Sequence, residues 1–221
     1  TREQLEDRIL AQLSGVALSR IQSGHIGAQD WAPLAQAIEE MNTLPIAIDD
    51  RSGQTASDVR TGCRQVIAEH GRLDVVIVDY VQLMPGTLDR KGASRTEELS
   101  DTATHLKDLA KELSLPVILL SQLRRHEGRP RIEDLRECGA LEQVADIVGL
   151  LHRRDHRVSG TTEFILAKQR NGNTGTLNLT LDRDTTTFTD GGEPIPERTE
   201  EERKVTAKRV RQRTFANRLG G

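Results

Sequence analysis

Apolar residues follow two spacings along this chain, and each spacing predicts a different kind of element. Steps of three and four recur at Leu5, Ile9 and Leu13, at Trp31, Leu34, Ile38 and Met41, at Val59, Cys63, Val66 and Ile67, and at Leu99, Ala103, Leu106, Ala110 and Leu113. Each set lines one face of an α-helix. The punctuation agrees: Thr1 with Gln4 makes a capping box, Thr55 caps the third helix and Gly71 closes it, and Pro116 stops the fourth. Short continuous apolar runs lie between these helices, at residues 46–48, 75–79, 117–120 and 147–151. Runs of this kind predict strands, and those at 75–79 and 117–120 read as strands buried on both faces. Two or three antiparallel strands are expected from Phe164 to Phe188. The order of elements predicts an α/β fold, with a mostly parallel sheet flanked by helices and antiparallel strands at the carboxyl end.

Two of the strand ends carry chemistry. The run VVIVDYVQLM (75–84) turns polar at Asp79, with Gln82 three positions later, and the run at 117–120 ends in Ser121 and Gln122. In open α/β sheets the carboxyl rim is where ligands bind, so a carboxylate there can hold Mg²⁺ on a nucleotide. An aspartate that merely caps the following turn is the competing reading. A third run, residues 164–167, leads into the basic hairpin Lys168, Gln169, Arg170, Asn171 and Gly172, whose plainest alternative is a solvated turn. His152 and His156 flank Asp155, but no third ligand accompanies them and a turn is the better reading than a metal site.

Composition narrows the class. The 221 residues are enough for one core with appendages, and no apolar stretch approaches the roughly 20 residues that span a bilayer, so no membrane partner is expected. Two cysteines, Cys63 and Cys138, have neither metal-like spacing nor a disulfide framework, and a reducing cytoplasm is the simplest setting. A formal charge of −3 argues against nucleic-acid binding by bulk electrostatics, so any DNA contact has to be local. The chain holds five aromatic residues, Trp31, Tyr80, Phe164, Phe188 and Phe215, too few to build a base-stacking platform. After Gly192 the composition shifts: residues 193–221 hold eight Lys or Arg against five Glu, which reads as a flexible tail or solvated helix, or else as an arm for a neighbouring subunit or DNA.

The segments IDDRSGQTASDVR (48–60), VVIVDYVQLM (75–84), LKDLAKELSLPVILLSQLRR (106–125), DLRECGALEQVADIV (134–148) and AKQRNGNTG (167–175) together resemble the motor domain of the bacterial replicative DNA helicases, the DnaB family. The likeness runs over about residues 1 to 190 in order and spacing. It implies a RecA-like P-loop NTPase core over residues 1–192, followed by a basic tail at 193–221. It implies ATP and Mg²⁺ as cofactors, with Asp79 orienting the metal or its water shell and Gln122 sensing the γ-phosphate. Lys168 and Arg170 resemble the cations that reach into an adjacent subunit's site, where charge builds on the γ-phosphoryl oxygens during transfer. Residues 134–139 resemble the family's DNA-facing loop: Arg136 would bind a phosphate beside Glu137, and Gly139 would let the backbone approach the strand. Arg90 and Lys91, in the loop 85–94, are a second candidate DNA contact. The partners implied are single-stranded DNA, further copies in a hexameric ring, a primase, a helicase loader and a complementing amino-terminal segment.

One departure from the family pattern bears on all of this. The sequence has no G-x-x-x-x-G-K-[ST], the loop that supplies most of a phosphate cradle, and the first residues resemble the helix that follows the strand of the catalytic glutamate. The Walker A strand is thus expected to be missing, which would leave a pairing edge and an apolar face uncovered. A truncated motor, a split-gene half and a decayed paralogue all fit, and so two functions are expected in competition. One is a replicative ring helicase motor, inactive as an isolated chain. The other is a non-catalytic paralogue or split half that assembles with or regulates a ring.

Overall fold

Thr1 opens the chain as its sequence predicts: its hydroxyl accepts from the Gln4 amide, and the Gln4 side chain accepts in return from the Thr1 amino group, starting α1 (Arg2–Ser14). In this computed structural model, residues 1–86, 94–124, 128–153 and 160–192 are described, with the side chains of residues 136–140 excepted. Helices α2 (Leu18–Ser23) and α3 (Trp31–Thr43) follow, and α1 lies against both. Buried Asp30 fixes the entry to α3, accepting from the Gly27 amide at 2.8 Å and pairing with Arg20. The inward stripe differs from the one the spacing predicted: Leu34 and Ala37 are buried, while Trp31 and Ile38 face outward at 63% and 45% exposure. The close approach of α1, whose one buried residue is the small Ala11, selects the stripe of α3 that carries Ala37.

Residues 46–48, expected as a strand, form none. Their backbone is held by helix α1, with the Arg2 guanidinium donating to the Ile48 carbonyl at 2.6 Å, and among the described residues no strand pairs with them. Helix α4 (Ala56–His70) begins at a Thr55–Asp58 capping box and ends at Gly71 in the left-handed region, φ +79°. The backbone there needs a residue without a Cβ. Strand β1 (Val76–Val78), helix α5 (Arg95–Leu113) and strand β2 (Val117–Leu119) make the parallel unit, in the register Val76↔Val117 and Val78↔Leu119. Helix α5 starts a turn earlier than its apolar stripe suggests, because Ser94 and Glu97 form a further capping box.

Helices α4 and α5 cover only one face of this sheet. Leu99, Leu106 and Leu109 of α5 and Cys63 of α4 pack with Val76, Val78, Val117 and Leu119. The intervening residues point the other way, and Ile77 and Ile118 are 62% and 48% exposed. Burial on both faces, expected from the unbroken apolar runs, is therefore corrected to burial on one. A parallel strand needs cover on both sides, and among the described residues nothing covers the second.

The larger sheet is antiparallel, in the order β3 (Ile147–His152), β4 (Gly160–Gln169), β5 (Gly175–Asp182) and β6 (Thr187–Asp190). Its inner face carries Val148, Leu150, Ile165 and Ala167 against Leu135 and Ile132. The turn between β5 and β6 reaches back to the first helices, where the Asp184 carbonyl accepts from the Leu18 amide at 2.7 Å. Helix α6 (Gly139–Val144) packs against α5 and leads into β3.

Candidate functional site

Backbone pairing carries β1 and β2 past their formal ends. The Leu120 amide donates to the Val78 carbonyl at 2.9 Å and the Val81 amide to the Leu120 carbonyl at 3.0 Å, so the residues after each strand stay side by side. Asp79 is exposed at this rim, two residues before a 3₁₀ turn (Val81–Leu83) anchored by fully buried Val81. The Gln82 side chain also crosses the rim. The Gln82 Nε2 donates to Ser121 Oγ at 2.9 Å and to the Gln122 carbonyl at 3.3 Å, while its Oε1 accepts from the Gln122 amide at 3.3 Å. Arg95, in the first turn of α5, donates to the carbonyls of Gln82 and Met84 at 2.9 and 2.8 Å. Asp79 and Gln122 thus share one rim whose two halves are tied together by Gln82 and backed by Arg95. Sequence reasoning noticed Gln82 in DYVQLM but gave it no part, and it passed over Arg95, whose contacts span 11 and 13 residues.

The two cations gather elsewhere, where β4 leaves the antiparallel sheet. The Arg170 guanidinium pairs with Asp146 Oδ1 at 2.9 Å, and the Arg170 amide donates to the Asp146 carbonyl at 2.9 Å. Asp146, immediately before β3, also pairs through its other oxygen with Lys107 of α5. Lys168 donates to the Glu142 carbonyl in the last turn of α6 at 2.5 Å. The hydrogen bond from Lys107, with the positive charges of Lys107, Arg170 and Lys168, holds the Asp146 carboxyl below its ordinary value. Among the described residues no hydrogen bond or ion pair joins Lys168 or Arg170 to Asp79 or Gln122. Asp146 and Lys107 were not foreseen, since a lone Asp before an apolar run looks like a turn residue.

The segment expected as a DNA-facing loop is helical. The Asp134 carboxylate accepts from the Arg131 amide at 2.7 Å and opens a 3₁₀ helix (Ile132–Cys138) that runs into α6. Leu135 is buried under β3, which fixes the segment against the sheet and leaves no free loop. Arg136 and Glu137 lie in the 3₁₀ helix and Gly139 opens α6; their side chains fall outside the described residues. Arg129 straps the approach to this segment onto the sheet, donating to Glu163 at 3.0 Å and to Thr176 Oγ1 at 2.7 Å. Arg90, Lys91, His156 and the tail 193–221 lie outside the described residues. Among those described, no group of three or more His, Cys, Asp or Glu could hold a metal ion, and no helix is long and apolar enough to cross a membrane.

The residues present fit one part of a nucleotide site. An exposed carboxylate oxygen at a strand tip suits Mg²⁺, a hard cation that keeps most of its water shell. A phosphate cradle is a different requirement, met by a run of backbone amides, and the sequence contains no glycine-rich loop of that type.

Comparison with known proteins gives a consistent result. The family model described as the DnaB-like helicase C-terminal domain matches residues 1–190. The probable replicative DNA helicase of Trieres chinensis is 36% identical over 203 residues, covering 86% of this chain and 44% of that protein. The replicative DNA helicase DnaC of Bacillus subtilis is 38% identical over 187 residues, covering 80% of this chain and 41% of that protein. Among solved structures, one of an ATPase domain superposes with a TM-score of 0.79 at 31% identity, covering 86% of this chain and 71% of that one. A DnaB-like replicative helicase studied with primase gives 0.76 at 32%, covering 82% of this chain and 46% of that one. The chain therefore spans less than half the length of the curated relatives it matches.

Proposed function

The chain belongs to the DnaB-like helicase C-terminal domain family, and from that membership we propose that it is part of the motor domain of a ring helicase that couples ATP hydrolysis to translocation on single-stranded DNA and to duplex unwinding. The observation that carries the reading is the shared rim, where Asp79 and Gln122 lie just past the ends of adjacent parallel strands tied by Gln82. Asp79 orients Mg²⁺ or its water shell, and Gln122 reports the presence of the γ-phosphate. Two strand tips beside one phosphate convert its loss into a small relative shift, and the Gln82 amide transmits that shift from one tip to the other. The magnesium ion would neutralise phosphate charge when bound. Lys168 and Arg170 face a neighbouring copy's nucleotide, where a guanidinium supplied in trans stabilises charge developing on the transferring group.

Arg136, Glu137 and Gly139, on the helical segment beside α6, form the side that tracks the DNA backbone, with Arg90 and Lys91 as a second contact. Contact through phosphates and without aromatic platforms gives binding that is indifferent to sequence and sensitive to salt. The assembly is a hexameric ring in the cytoplasm that receives a loader and a primase, as the solved relative's association with primase supports for its kind. A second reading is a non-catalytic paralogue or split half that joins or regulates a ring.

Both readings expect the isolated chain to bind ATP weakly or not at all. Titration calorimetry with ATP and Mg²⁺ tests this, and micromolar affinity that Asp79→Ala abolishes would overturn it. In an assembled ring that contains this chain and turns over ATP, Arg170→Ala is expected to cut turnover by about 10³-fold or more with the ring intact on size exclusion. Undiminished turnover would remove the trans-acting role and leave the non-catalytic reading.

A further inference from the structure

Arg170 is held by its own chain at two points. Its backbone amide donates to the Asp146 carbonyl and its guanidinium to the Asp146 carboxylate, both at 2.9 Å, so one residue fixes the root and the tip of the same side chain. The side chain is nevertheless 54% exposed, which leaves part of the guanidinium fork free to meet another molecule. The second carboxylate oxygen of Asp146 pairs with Lys107, whose side chain is only 24% exposed. Lys107 sits on α5 between buried Leu106 and Leu109, the residues that back the strands leading to Asp79 and Gln122. Asp146 therefore touches both the element that presents the cation and the helix behind the rim.

We propose that Asp146 is a positioning residue: it orients Arg170 toward a neighbouring subunit and, through Lys107, fastens that cation to the helix that supports the Asp79 and Gln122 rim. This rests on Arg170 acting in trans as proposed above. A long guanidinium side chain on an exposed hairpin otherwise samples many rotamers, and ordering it before the partner arrives removes that entropy from the catalytic step. One carboxylate shared between two cations also makes the device directional. A displacement of α5 that carries Lys107 away leaves Asp146 to Arg170 alone, so the hairpin responds to the state of the rim. The charged groups facing Asp146 are Lys107 from α5, Arg170 from the end of β4 and Lys168 from β4 itself, all positive.

The test uses Asp146→Asn, which keeps the shape and loses the charge, with Asp146→Glu as the conservative control. In the chain itself, hydrogen exchange over residues 169–175 should quicken by roughly 3- to 5-fold in Asp146→Asn, the size expected of an exposed ion-pair network. Asp146→Glu should restore at least half of the protection, and exchange in α1 and α3 should not change. In a ring that turns over ATP, Asp146→Asn should lower kcat by about 10-fold with KM for ATP within 2-fold, because an interaction used only in the transition state is weakened. Unchanged exchange and unchanged kcat in Asp146→Asn, in a ring that Arg170→Ala inactivates, would overturn the proposal and leave the trans-acting cation standing. Loss of protection in Asp146→Asn with full activity in Arg170→Ala would instead keep the tether and remove the catalytic reading on which its purpose depends.

Discussion

The parallel β1–β2 unit and the antiparallel β3–β6 sheet solve the problem of presenting polar side chains in opposite ways. The first has two strands of three residues, one face packed under α4 and α5 and the other, among the described residues, exposed at Ile77 and Ile118. Its polar rim is bridged by the Gln82 side chain. The second is a four-stranded meander with its own core, and the cations at the end of β4 are tied to Asp146 and to the end of α6. Parallel strands depend on elements distant in sequence for cover, whereas a meander gathers its partners from adjacent residues. The difference leaves one face of the parallel pair uncovered among the described residues, while the meander packs mainly against its own neighbours in sequence.

The strongest way to break this contrast is through α5, which serves the rim first. Leu109, fully buried against β1 and β2, should lose about 2–5 kcal/mol on replacement by Ala, read by urea denaturation. Hydrogen exchange should then rise most in α4, α5, β1 and β2. An equal rise throughout β4 and β5 would show one cooperative unit in place of two unequal ones. A finer cut is Gln82→Ala, which should cost about 0.5–1.5 kcal/mol and loosen residues 120–122 while leaving the hairpin protected as before. Loss at the hairpin in that variant would mean that the rim and the cations are linked more tightly than through Lys107 alone.

Acid should give the smallest effect and separate the two regions by chemistry. The folded Asp146 carboxyl lies below the ordinary 3.8, mainly through its hydrogen bond from Lys107. A carboxylate depressed in the folded state stabilises above its unfolded value, and that contribution fades as pH falls below 3.8 through the folded value. Asp49, lowered to about 2 by its bond from Arg51, behaves the same way ahead of α4. Protection of residues 169–175 should therefore decline as pH falls below 3.8 while the Gln82 crossbar, which involves no titrating group, keeps its exchange rate until global unfolding. Simultaneous loss at both places would contradict the assignment.

The capping boxes at Thr1 and Thr55, the left-handed Gly71, the stop at Pro116 and the polar strand ends at Asp79 and Gln122 are legible from the sequence because each is a short-range matter of backbone hydrogen bonds or steric freedom. Helical patterning was legible as to type and less so as to direction: Trp31 and Ile38 carry an apolar period but lie outside the packed stripe, since the stripe is chosen by the neighbouring helix. The segment around Leu135 read as a loop because its polar residues mask a single buried anchor.

What the amino-acid order determined by itself was the set of elements and the chemistry at their ends, since propensity, period and capping act over a few residues. What only the tertiary structure decided was which of those ends meet. Asp146 finds Arg170 and Lys107 across 24 and 39 residues, and Gln82 finds Ser121 and Gln122 across 39 and 40. The face of β1 and β2 left uncovered among the described residues belongs to the same class, because a strand's own side chains state that cover is needed and only the packed fold shows which face receives it.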